Sequence, residues 1–135
     1  ETNKKSILSG VPRSLPAMLK SYRIQEKVKG VGFDFQDNKT AFNKILEELK
    51  EFEHEMDMHN LEKANEEFGD LLFALIGYAQ KLGINSMNAL EKTNKKFISR
   101  FTKMEDLILN KNKSISDYSI DELEVFWNCV KDNKL

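Results

Sequence analysis

The chain has 135 residues, with 22 acids against 21 bases and a single cysteine. That length holds one domain and buries roughly two-thirds of the unfolded surface, so neither a disulfide nor a structural metal is needed for folding. Cys129 alone excludes an intramolecular disulfide and a Cys-based zinc site and fits a reducing, cytoplasmic setting; the longest apolar run, near Leu71–Ile76, is too short to cross a bilayer, and a net charge of −1 argues against nucleic acid as a partner.

With two prolines and six glycines and almost no strand-like alternation, the pattern is helical throughout and predicts an all-α bundle of about five helices. A polar lead over Glu1–Gly10 reads as a flexible arm, within a lead or linker of residues 1–13. Ser14 is expected to cap a first helix, with Pro16 in its first turn. That helix carries Leu15, Met18, Leu19, Tyr22 and Val28 and stops near Gly30 and Gly32. Phe33, Asp34 and Phe35 form a loop, with Asp34 as a turn residue.

A second helix is expected over about Lys39–Met58, with Phe42, Ile45, Leu46, Leu49, Phe52 and Met56 as its apolar stripe. Asn60 can cap a third, about Leu61–Leu82, and Gly83 suits the position after its end. Phe68, Leu71, Leu72, Leu75, Ile76 and Ala79 point inward. Gly69 and Gly77, eight apart, lie near one face and allow close backbone approach, so this helix is expected to pack on several sides, including across a dimer interface. A fourth helix runs from about Ser86 to Leu109, with Leu90, Phe97, Phe101, Met104 and Ile108 inward. After a polar loop, Ser119 and Glu122 form a capping-box pattern for a last helix ending near Val130. His54 and His59 are expected at the surface and Cys129 partly buried.

The near-zero net charge hides an asymmetry. Ten of the 22 acids lie between Glu47 and Asp70. From Lys92 to Lys103 the sign reverses, with Lys92, Lys95, Lys96, Arg100 and Lys103 and no acid. At 100° per residue, Glu48, Glu51 and Glu55 share one stripe of the second helix, and Glu67 and Asp70 lie at an equivalent phase on the third. Glu48 with Glu51, and Glu67 with Asp70, are i, i+3 pairs, so each presents two carboxylates side by side. If the two helices pack antiparallel, the pairs can face each other. Four converging carboxylates suit Mg²⁺, or Mn²⁺, which take hard oxygen ligands. The bland alternative is a solvated acidic face, and an ordinary basic face for Lys96 and Arg100.

Glu48-x-x-Glu51, a 15-residue spacer and Glu67-x-x-Asp70 resemble the metal signature of the all-α nucleoside triphosphate pyrophosphohydrolases, and of their MazG branch in particular. Val11–Leu19 resembles that family's lead-in. Val31–Phe35 resembles its G-F-D-W loop, with Phe35 where the family usually has Trp. Glu66–Phe73 and the Ala89, Leu90, Lys96, Phe97, Arg100, Phe101 series resemble its core and basic motifs. The resemblance implies Mg²⁺-dependent hydrolysis of (deoxy)nucleoside triphosphates to monophosphate and pyrophosphate. It implies Glu48, Glu51, Glu67 and Asp70 as metal ligands, Lys96 and Arg100 against the triphosphate, and Trp127 against the nucleotide. Glu48 or Glu51 would serve as general base. The MazG-like domain is expected over residues 14–135, and a homodimer is expected because the third helix is so apolar and a groove between two helix pairs needs further walls. The sequence looks like the C-terminal copy of a tandem protein, opening in its inter-domain linker, with an N-terminal MazG-like domain as a further partner. Two alternatives stand beside this: a narrower dUTP or dCTP pyrophosphatase, and a non-catalytic helical dimerisation or regulatory module.

Overall fold

A computed structural model describes residues 6–133 of the chain. Among the described residues there are five α-helices, α1 (Ala17–Gly30), α2 (Asn38–Asp57), α3 (Leu61–Lys81), α4 (Ser86–Leu109) and α5 (Ile120–Lys131), one 3-10 turn at Ile115–Asp117, and no strand. The fold is all-α, as the pattern predicts. Residues 1–5 of the expected lead lie outside the described residues. Residues 6–11 form successive tight turns, in which the Ser9 and Val11 amides donate to the Ser6 and Leu8 carbonyls at 3.0 Å.

Local chemistry sets most helix ends. Asp37 Oδ1 accepts the Thr40 amide at 2.7 Å at the start of α2. Asn60 Oδ1 accepts the Lys63 amide at 3.2 Å at the start of α3. Ser119 and Glu122 close the expected capping box on α5, each accepting the other's backbone amide, at 3.2 and 3.0 Å. Gly83, at φ +76°, takes the left-handed position after α3. The start of α1 differs from expectation. Ser14 does not cap it; the helix begins at Ala17, and Pro16 occupies the cap position without a side-chain cap bond. A proline drives the residue before it out of helical geometry, so Leu15 cannot open the helix as a Ser14 cap would require.

The chain divides into two compact units, one ending at Met87 and one beginning at Asn88. In the first, α2 and α3 lie antiparallel. Phe42 near the start of α2 meets Tyr78 near the end of α3, and Phe52 meets Phe68 further along, both at 5.6 Å between ring centroids. Ala41, Ile45, Ala64 and Ile76 are the buried apolar side chains of this pair. Helix α1 is stitched to α3 by side chains that bond backbone carbonyls. Gln25 Nε2 donates to Phe73 O at 2.9 Å, Lys29 Nζ to Gly77 O at 2.8 Å, and Gln80 Nε2 to Tyr22 O at 2.8 Å. Gly77 is buried, and Gln25 occupies the space a Cβ there would need. Gly69 does not share that role: nothing lies within 4 Å of where its Cβ would be.

The expected burial of α3 on several sides is not reached within the chain. Phe42, Leu46, Leu49 and Met56 on α2 and Phe68, Leu72 and Leu75 on α3 remain 39–46% exposed. The second unit has its own small core of Met104, Ile108 and Val130, covered by Phe101, Tyr118, Phe126 and Trp127. Of the inward residues expected on α4, Phe101 is half-buried and Met104 and Ile108 are buried, whereas Leu90 and Phe97 stay exposed.

Candidate metal centre

The antiparallel pairing of α2 and α3 brings their acidic stripes together. Glu48, Glu67 and Asp70 each offer a carboxylate oxygen within 4.8 Å of the others. Glu51 stands one turn beyond Glu48, and its carboxyl is close enough to that of Glu67 to raise the Glu67 pKa. The fifth acid of the stripes, Glu55, is half-buried and is not part of the three-residue group.

These carboxylates differ in environment. Glu48 is 5% exposed. One of its oxygens takes the Lys44 ammonium at 2.9 Å. The other, Oε2, is buried without a hydrogen-bond partner, and so is Oε2 of Glu67. Burial, then the hydrogen bond with Glu51, then the negative charges of Glu51, Asp70 and Glu48 push the Glu67 carboxyl up to about 7. Buried carboxylate oxygens without partners cost free energy unless a proton or a cation meets them. The donors are all hard oxygens from two rigid helices, so the group fits a small divalent cation.

A cavity of about 610 Å³ adjoins this cluster, and both Glu48 and Asp70 line it. Phe33, Phe35 and Phe73 supply apolar wall and Lys44 a charge. The Phe33–Phe35 loop is tied to α3 by Lys81, whose ammonium donates to Phe35 O at 2.7 Å and pairs with Asp34 at 3.5 Å. Asp34 Oδ1 also accepts the Phe35 amide at 2.7 Å, so Asp34 is the expected turn residue. Burial, helped by the Lys81 charge and opposed by Asp34, lowers the Lys29 ammonium below its ordinary value.

Lys96, Arg100 and Trp127 all belong to the second unit. Lys96 is exposed and Arg100, one turn on, is half-buried. Trp127 is half-buried with its ring 5.1 Å from that of Phe97. His54 and His59 are exposed and Cys129 is half-buried, as expected. Sequence reasoning missed Lys44, Gln25, Lys29 and Lys81. Only Lys44 carries a local signal, its i, i+4 spacing to Glu48.

The sequence pattern of the MazG nucleotide pyrophosphohydrolase domain matches residues 36–104. That span contains both acidic pairs and the Lys96–Arg100 turn, and the chain belongs to this family. It is 38% identical over 128 residues to the nucleoside triphosphate pyrophosphohydrolase/pyrophosphatase MazG of Thermotoga maritima, covering 95% of this chain and 49% of that protein. It is 34% identical over 128 residues to the nucleoside triphosphate pyrophosphohydrolase of Escherichia coli, covering 93% and 49%. The chain thus spans about half the length of the curated relatives it matches. No helix among the described residues is long and apolar enough to cross a membrane.

Proposed function

We propose that this chain hydrolyses (deoxy)nucleoside triphosphates to the monophosphate and pyrophosphate, clearing surplus or damaged nucleotides in the cytoplasm, and that residues 14–135 act as one catalytic domain. The observation that carries the reading is the convergence of Glu48, Glu67 and Asp70, with two buried oxygens left without partners. Glu48, Glu51, Glu67 and Asp70 would hold Mg²⁺, with Mn²⁺ as a substitute. Bound there, the metal would supply Lewis acidity and neutralise phosphate charge. Glu51 is exposed and, unlike Asp70, lies outside the tight three-residue group. A carboxylate oxygen of Glu51 is therefore assigned the proton of the attacking water. The water oxygen bonds to the α-phosphorus as the bond to the pyrophosphate leaving group breaks. Lys96 and Arg100, one helical turn apart, would stabilise charge on that leaving group. Trp127 would pack against the nucleotide. The apolar cavity beside Glu48 and Asp70 has room for the uncharged part of the substrate.

The open apolar faces of α2 and α3 support a homodimer, which sedimentation would reveal as a mass near twice 15.7 kDa. An N-terminal MazG-like domain of the same protein is a further partner consistent with the length of the relatives. The test of function is pyrophosphate release from the eight common nucleotides and dUTP with Mg²⁺. We expect release from several of them, and a loss of roughly a thousandfold in kcat/KM in Glu51→Gln. Orthophosphate as the sole product overturns attack at the α-phosphorus. Turnover confined to dUTP or dCTP narrows the reading, and no turnover of any nucleotide favours a regulatory module.

A further inference from the structure

We propose that Lys44 is a tethered counter-ion of the carboxylate centre, neutralising Glu48 in the metal-free protein and releasing it when a divalent cation arrives. The inference rests on reading the four acids as a metal centre, and concerns what occupies Glu48 before the metal does. Glu48 is 5% exposed and has two carboxylates within 4.8 Å. A charge so confined needs a cation close by. Lys44 precedes it by one helical turn, and its ammonium lies 2.9 Å from Glu48 Oε1. Both residues sit on the same rigid helix, so the pair forms without any other element moving.

A second anion makes release cheap. The same ammonium lies 3.5 Å from Glu47 Oε1, and Glu47 is 56% exposed, outside the acidic cluster. The Lys44 side chain is itself 38% exposed, so its flexible stem has room to turn. A divalent ion on Glu48 would repel the ammonium at close range. The ammonium then moves fully to Glu47, with a small displacement and no loss of pairing. Lys44 therefore keeps the empty centre stable and lowers its affinity for metal. Nothing in this role requires nucleotide, so it is separable from catalysis.

The experiment is calorimetric titration of the nucleotide-free chain with Mg²⁺, together with thermal melts in EDTA. Lys44→Met is expected to bind Mg²⁺ about tenfold more tightly and to melt at a lower temperature without metal. Lys44→Arg, which keeps the charge, is expected to resemble the wild type in both. Lys50→Met removes an exposed lysine of the same helix and is expected to change neither. The gain in Lys44→Met should persist at 0.3 M KCl, because a contact pair is screened far less than a distant charge. Should Lys44→Met not fold, Lys44→Gln carries the same test. Unchanged or weaker Mg²⁺ binding in the neutral variant overturns the proposal. An equal gain in Lys50→Met also overturns it, because the effect would then be one of net charge. Wild-type protein that takes up no Mg²⁺ overturns the metal centre itself, and this role with it. Mg²⁺ binding without nucleotide turnover leaves the counter-ion role standing while the hydrolase reading falls.

Discussion

In the first unit, α2 and α3 press Glu48, Glu67 and Asp70 to within 4.8 Å of one another. In the second, α4 spreads Lys92, Lys95, Lys96 and Lys103 over an exposed face, with Arg100 half-buried beside them. Both segments are rich in one sign of charge. Only the acidic one is confined between two helices. Confinement is what leaves oxygens without partners and lifts the Glu67 carboxyl to about 7. Solvated charges on one helix face hold no comparable free energy, because water screens them. Charge density along a sequence is therefore a weak sign of a site, and convergence from two elements is a strong one.

The sharpest way to break this comparison is to remove the basic unit's core while leaving the acidic one intact. Ile108 is 1% exposed between Met104 and Val130. Ile108→Ala should cost about 2–5 kcal/mol and produce an early melting transition by circular dichroism. Mg²⁺ should still bind, since the carboxylates belong to the first unit. Loss of Mg²⁺ binding would mean that the two units fold only together.

A smaller effect compares neutralisation on the two sides. Glu51→Gln removes one of the like charges around Glu67 and should raise metal-free stability by about 1 kcal/mol. The same variant should gain less than the wild type from millimolar Mg²⁺. Lys96→Gln, on the solvated face, should stay within about 0.5 kcal/mol of the wild type in chemical denaturation. Equal effects at the two positions would remove the distinction between confined and solvated charge.

A further effect is a pH dependence. The folded Glu67 carboxyl sits at about 7 against an ordinary 4.5, so between those values the folded chain holds a proton that the unfolded chain has lost. Metal-free stability must then fall as pH rises through that window and level off above it. Mg²⁺ binding should strengthen over the same range, because the ion competes with that proton. Melting curves from pH 5 to 8 check this, and Glu67→Gln should flatten them. A melting temperature that rises through the window in the metal-free wild type would contradict the raised carboxyl.

Much of the fold was legible because helix ends are local chemistry. Asp37 went unnamed in the sequence reading, but Asn60, Gly83 and the Ser119–Glu122 box each act within four residues of themselves. Ser14 has a side chain suited to capping, but Pro16 keeps the intervening Leu15 out of helical geometry. The acidic pairs were legible because i, i+3 spacing is a property of one helix. Lys44 is not distinctive in the sequence, because i, i+4 lysine–glutamate pairs are common on solvated faces and nothing local says that Glu48 is buried. Gln25 and Lys29 gave no signal at all. Their partners are the carbonyls of Phe73 and Gly77, 48 residues away.

By itself, then, the sequence determined the all-α class and the phase at which both acidic stripes lie beside the apolar ones. Those follow from periodicity and caps, whereas the antiparallel packing of α2 on α3 was a condition that the structure met. Tertiary structure alone decided how the acids differ: Glu48 buried, Glu67 deprived of solvent at one oxygen, Glu51 and Asp70 exposed. It also decided that Gly77 rather than Gly69 admits a neighbour, and that the apolar rings of α2 and α3 stay half open. The reason is common to all three. Burial belongs to the space between elements, and that space exists only once the helices have packed.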